Sequence, residues 1–182
     1  RTVSSLCHGW GMGLGLSRVR LIHHGYSPEV IQEKGKISRN HELLDRAVRE
    51  DPSNATMQMQ LGNEYLRMGR MDDAFRHLFV AVELCAQAPE LIPDSVESLL
   101  TLLGTNLLKE ERFIEVEALL TGPLAGRFPL TAWHRYLRGT ARIRIGRTSE
   151  ALEDLLEARA RRDEETLSIV PADLQTPELD FM

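Results

Sequence analysis

The segment Gln58–Ala81, QMQLGNEYLRMGRMDDAFRHLFVA, decides the fold of this chain through its spacing. Leu61-Gly62 is followed by Tyr65, Gly69, Ala74, Leu78 and Ala81. Gly62 and Ala74 are small enough to let two antiparallel helices approach closely, while Tyr65 and Leu78 fill the space between them. Gly69, followed by Arg70, suits the left-handed cap that ends a helix. The segment therefore predicts one helix–turn–helix unit.

The unit recurs on both sides. Upstream, Leu44, Ala47 and Pro52 stand where the second helix and closing proline of an earlier unit belong, and Asp51-Pro52-Ser53-Asn54 supplies a turn and a helix N-cap before Ala55. Downstream, Leu103-Gly104, Leu107, Val116 and Leu120 repeat the intervals around a turn at Lys109-Glu110-Glu111-Arg112. Gly139, Gly146, Ala151, Leu155 and Ala158 form a third copy, its turn expected at Arg147-Thr148-Ser149-Glu150. Gly104 and Gly139 are 35 residues apart, but Gly62 and Gly104 are 42 apart. The excess is expected as a lengthened loop over Cys85–Pro93, which holds two prolines.

These intervals resemble the tetratricopeptide repeat, a helix–turn–helix of about 34 residues, with Gln58 in place of the usual large aromatic. The expected fold class is all-α: antiparallel helix pairs over residues 41–165 stacked in a short right-handed superhelix, after a non-repeat segment (1–40) and before a C-terminal tail (166–182). The alternative is an unrelated amphipathic bundle, which has no reason to keep three copies in register. The charged run Arg159, Arg161, Arg162, Asp163, Glu164 and Glu165 offers a polar end surface for such an array.

Composition agrees with a helical protein. The 182 residues are 42% hydrophobic, 27% charged and only 5% aromatic. A net charge of −5 argues against a general nucleic-acid binder, which needs a basic surface. Cys7 and Cys85 form no CxxC pair, so a reducing cytoplasm is the expected location, and no apolar run reaches the length of a membrane span. No Ser-His-Asp or Cys-His arrangement emerges from the spacing, and His77 and His134, inside repeat helices, read as packing or surface residues.

Stacked units form a slab with a concave side that the first helix of each pair lines. Aligning the copies places Asn63, Thr105 and Thr140 at one position and Arg67, Lys109 and Arg144 four residues later, on the same face. The functional reading is a polar, cationic groove for an extended acidic peptide or protein partner. The competing reading is that each cation merely complements the helix dipole. Self-association is a further expectation for such a module. The family's clamp for C-terminal carboxylates uses Lys and Asn at set places, and of these only Asn63 has a match.

The first 40 residues leave the repeat. Ser17 to Tyr26 alternates as a short strand does, and Ser27-Pro28-Glu29 looks like a helix start. Ile22-His23-His24-Gly25-Tyr26, then Lys36, Arg39-Asn40 and Leu43-Leu44, resembles a junction in bacterial family 2 glycosyltransferases, where a nucleotide-sugar-binding domain runs into tetratricopeptide repeats. The resemblance covers about residues 19–82. It implies that this chain, which begins with Arg1, is the C-terminal part of such an enzyme. The catalytic domain, its divalent metal and its nucleotide sugar would then lie upstream. The chain itself has no Asp-x-Asp, so catalysis by it alone is not expected. His23 matches the family's late histidine, which completes a metal site when the catalytic domain is present; otherwise it holds the strand-to-helix turn.

Cys7, His8, His23 and His24 lack the tight spacing of zinc ligands. Gly9, Gly11, Gly13 and Gly15 form no phosphate loop, because no Gly-Lys-Ser/Thr follows them. The tail after Ile169, with Pro171, Pro177 and several acids, reads as a surface segment.

Overall fold

The computed structural model describes residues 36–161 other than 89, 91 and 92. The strand expected at Ser17–Tyr26, the glycine-rich stretch, His23 and the tail lie outside the described residues. Among those described there is no strand, and the helices are α1 (Lys36–Glu50), α2 (Ala55–Arg67), α3 (Met71–Gln87), α4 (Pro93–Lys109), α5 (Phe113–Thr121), α6 (Pro123–Arg127), α7 (Ala132–Arg144) and α8 (Thr148–Ala160). Helices α2/α3, α4/α5 and α7/α8 form the three pairs, with α1 packed on α2 as the half unit. The first helices also neighbour one another, α2 against α4 and α4 against α7. This is the tetratricopeptide arrangement of antiparallel helix pairs.

Close approach within a pair rests on glycine. A Cβ on Gly62 would lie 2.7 Å from Leu78 Cγ and 3.2 Å from the Ala74 carbonyl oxygen. Gly139 meets Leu155 and Ala151 in the same way, at 2.9 and 3.2 Å. Gly104 differs: its nearest neighbour is Leu137 of the next unit, at 3.2 Å. The looser match of the second copy is thus physical, since its glycine serves the contact between units. Around these crossings Leu61, Leu78, Leu100, Leu103, Leu107, Leu120 and Leu137 are fully buried.

The three turns share one hydrogen-bond pattern. The amides of Arg70, Arg112 and Arg147 donate to the carbonyls of Tyr65, Leu107 and Arg142, at 2.9, 2.9 and 2.8 Å, the wide bond of a Schellman cap. The residue before each arginine is left-handed: Gly69 at φ 71°, Gly146 at φ 84°, and, in the second copy, Glu111 at φ 55°. Each arginine then pairs with an acid one turn into the second helix, Arg70 with Asp73, Arg112 with Glu115 at 2.6 Å, and Arg147 with Glu150. Arg70 also lies over the Tyr65 ring at 4.6 Å and Arg112 over Phe75 at 4.5 Å.

Two expectations need correction. Cys85 to Gln87 are helical, and α3 and α4 each run 17 residues where α2 has 13. The extra length between the first two copies is therefore mostly about one added helical turn on each, and in the added first turn of α4 Val96 is buried in the core. The third turn centres on Ile145-Gly146-Arg147, with Thr148 to Glu150 already in α8, since the left-handed residue is Gly146. Of the charged run expected as a polar end surface, Arg159 and Arg161 are exposed and 162–165 lie outside the described residues, while Leu152 and Leu156 of α8 are 59% and 56% exposed.

Candidate binding surface on the first helices

The aligned positions of α2, α4 and α7 fall on neighbouring helices, but their side chains are not equivalent. Thr105 is buried, and its hydroxyl accepts a hydrogen bond from Trp133 Nε1 at 3.3 Å, so it ties α4 to α7. Thr140 is half-buried. Asn63 is half-buried too, and lines a cavity of about 310 Å³ with Asn40, Leu43, Leu44, Gln60 and Glu64.

The cations diverge as well. All three are exposed and sit in the last turn of their helices, where a positive charge complements the helix dipole. Arg67 Nη1 donates to Glu64 Oε1 at 3.2 Å. The Arg144 guanidinium covers the Phe113 ring at 4.7 Å. Lys109 makes no ion pair among the described residues. Further apolar surface comes from α7, where Ile143 is 50% exposed and Trp133 stacks on Tyr136 with ring centroids 5.3 Å apart.

His134 and His77 are structural. His134 is fully buried, and burial lowers its pKa from 6.5 to about 4. Its Nδ1 accepts from the Thr131 backbone N–H at 3.3 Å, which leaves the proton on Nε2 to donate to Thr101 Oγ1 at 3.0 Å. Thr131 returns the favour as N-cap of α7, its hydroxyl accepting from the His134 amide. His77 is held below its ordinary range mainly by burial, stacks on Tyr65 at 5.4 Å and bonds Gln58 Oε1 at 2.7 Å. Gln58 also donates to the Pro52 carbonyl, so it replaces the family's aromatic as a buried hydrogen-bonded strut. Burial pushes the Cys85 thiol up, away from the reactive thiolate. No group of three metal-ligating side chains occurs among the described residues.

What residue types alone did not reveal is the charged interior of the third unit. Arg138 and Arg142 occupy the places of Leu61 and Tyr65 in the first unit, and both bind Asp154, which is 3% exposed. Arg138 Nη1 also donates to the Leu120 carbonyl at the end of α5, and Arg142 reaches Glu117 at 3.3 Å. The visible signal is Arg135, Arg138 and Arg142 recurring on one helix face at positions where the earlier copies are largely apolar.

No protein-family model and no curated protein sequence matches the chain. Among solved structures, the chain is similar to the crystal structure of MamA, at 17% identity and a TM-score of 0.57, over 79% of this chain and 77% of that one. At that identity the likeness speaks to the fold, which is tetratricopeptide-like. No described helix is long and apolar enough to cross a membrane.

Proposed function

We propose, on the premise of this fold, that the chain is a protein-interaction module that holds an extended partner segment along α2, α4 and α7. The observation that carries the reading is the placement of side chains unused in packing on three adjacent first helices: Asn63 on α2, Lys109 on α4 and Ile143 on α7. Repeat arrays use such continuous surfaces because each unit adds a similar helix at a similar place. Lys109, Arg144 and Arg67 give the surface a positive rim suited to acidic side chains on the partner.

A photo-crosslinking residue at Thr140 or Asn63, expressed in the native host, tests this. One partner protein should be trapped from both positions and not from Arg76, which is exposed on the second helix α3. Adducts from Arg76 alone would overturn the reading. For the acidic component, K109E/R144E should weaken the trapped complex at least tenfold. Arg67 is the poorer choice for charge reversal, because it neutralises the buried Glu64.

A second reading, that the module belongs to a bacterial glycosyltransferase, rests on Ile22 to Tyr26 and on Lys36, Arg39-Asn40 and Leu43-Leu44, which fall in α1. Metal and nucleotide sugar would belong to that upstream domain, with His23 as this chain's contribution. An upstream reading frame encoding an α/β domain with Asp-x-Asp supports it, and an unrelated domain removes it.

A further inference from the structure

We infer that the cavity between α1 and α2 is a receptor for a lysine ammonium group carried by the partner segment, with Glu64 as its anchor. The inference deepens the binding reading above and rests on it for the identity of the partner as a protein. Glu64 is 6% exposed and forms part of the cavity wall. Its Oε1 receives Arg67 at 3.2 Å, but its Oε2 is buried without a hydrogen-bond partner. A buried carboxylate oxygen left unpaired costs free energy that a donor from outside would recover.

The rest of the wall fits the same donor. Asn40, Gln60 and Asn63 bring three side-chain amides that no other described residue engages, each with a carbonyl oxygen to offer. Leu43, 53% exposed, gives the methylene stem of a lysine an apolar rim to lie on. No cation lines the cavity, and an acidic side chain would bring only acceptors to the Glu64 oxygen that lacks a donor. An ammonium fits better than a guanidinium. Arg67 already holds one carboxylate oxygen, which forbids the two-point fork that favours arginine, whereas an ammonium needs only single acceptors set around a point.

The test is a titration of the protein with N-acetyl-lysine methylamide, followed by two-dimensional 15N–1H NMR, with the norleucine and glutamate analogues as controls. The lysine probe should shift the side-chain amide signals of Asn40, Gln60 and Asn63 saturably. The norleucine and glutamate probes should not saturate over the same range. Glu64→Gln keeps the shape and the Arg67 contact, and should weaken the lysine probe at least tenfold. Asn63→Ala, at a half-exposed site, provides a second variant, expected to weaken it several-fold. Equal binding of norleucine, unchanged affinity in Glu64→Gln and Asn63→Ala, or no shifts at all would each overturn the assignment. Crosslinking from Thr140 would still succeed in that event if the wider surface binds a partner, so the two proposals fail separately.

Discussion

Arg138 and Asp154 form a two-point ion pair inside the last helix pair, Nε to Oδ2 at 2.8 Å and Nη2 to Oδ1 at 2.6 Å. At the same level of the first unit, Leu61 stands in place of the arginine and His77 in place of the aspartate. Asp154 also receives Arg142 at 2.8 Å and lies 3.8 Å from Arg135. Asp154 is thus the shared centre of the guanidiniums that the third unit buries, with Glu117 completing the pairing of Arg142 and Glu157 that of Arg135.

Removing Asp154 leaves Arg138 without a carboxylate inside the helix pair, while Arg142 keeps Glu117 and Arg135 keeps Glu157. Asp154→Ala should destabilise the fold by about 3–5 kcal/mol, the usual cost of breaking a buried pair from one side. Arg138→Leu, Arg142→Tyr and Asp154→His together copy the first unit and should cost far less, or nothing. Urea unfolding of the two variants checks the contrast, and equal losses would mean that the network is worth more than its replacement.

The helix crossings make a sharper steric prediction. Gly62→Ala and Gly139→Ala should each cost about 1–3 kcal/mol through overpacking, because the new methyl would lie within 3 Å of Leu78 or Leu155. Gly126→Ala is the control. Nothing lies within 4 Å of its added carbon, and it sits in the short helix α6, so it should be neutral or slightly stabilising. Thermal melts of the three variants suffice.

Glu111 is a non-glycine residue in the left-handed region, at the place held by glycine in the other two turns. Replacing it with Gly should raise stability by roughly 0.5–1 kcal/mol, net of the extra freedom of the unfolded chain. Gly69→Ala and Gly146→Ala should lower it by a similar amount or more. A destabilised Glu111→Gly would show that the glutamate side chain contributes more than its backbone conformation costs.

His134 sets a pH dependence. Its folded pKa of about 4 lies below the ordinary 6.5, so between these values the unfolded chain takes up a proton that the folded chain refuses. Its contribution is complete above about pH 6.5 and shrinks as pH falls towards 4, by roughly 3 kcal/mol in all. His77, also lowered by burial, acts in the same direction. Unfolding free energies at pH 7, 5.5 and 4.5 should fall accordingly, with a flatter slope for His134→Gln. An equal slope in that variant would assign the effect elsewhere.

Much of this molecule is local in sequence. Gly62 with Ala74 and Leu78, and Gly139 with Ala151 and Leu155, place each crossing within 16 residues of chain. Helix pairing of that range leaves a periodic trace, because the small and large residues must recur at fixed offsets. Gly69 and Gly146 are legible for the same reason, as turns that side chains rarely tolerate. The added length of α3 and α4 escaped notice because the two prolines near the junction read as a loop, although Pro93 begins a helix.

The binding surface obeys different rules. Sequence alignment put Asn63, Thr105 and Thr140 in one row, yet Thr105 is consumed by Trp133, 28 residues away. Arg127 looks like an ordinary surface cation until its guanidinium is found on the carbonyls of Ala86 and Ala88 at the end of α3, at 2.7 and 2.8 Å. The sequence by itself determined the repeat, because neighbouring helices encode their contact in short intervals. Only the tertiary structure decided which polar groups remain free and where Glu64 is left short of a donor, because those outcomes depend on side chains brought together from separate helices.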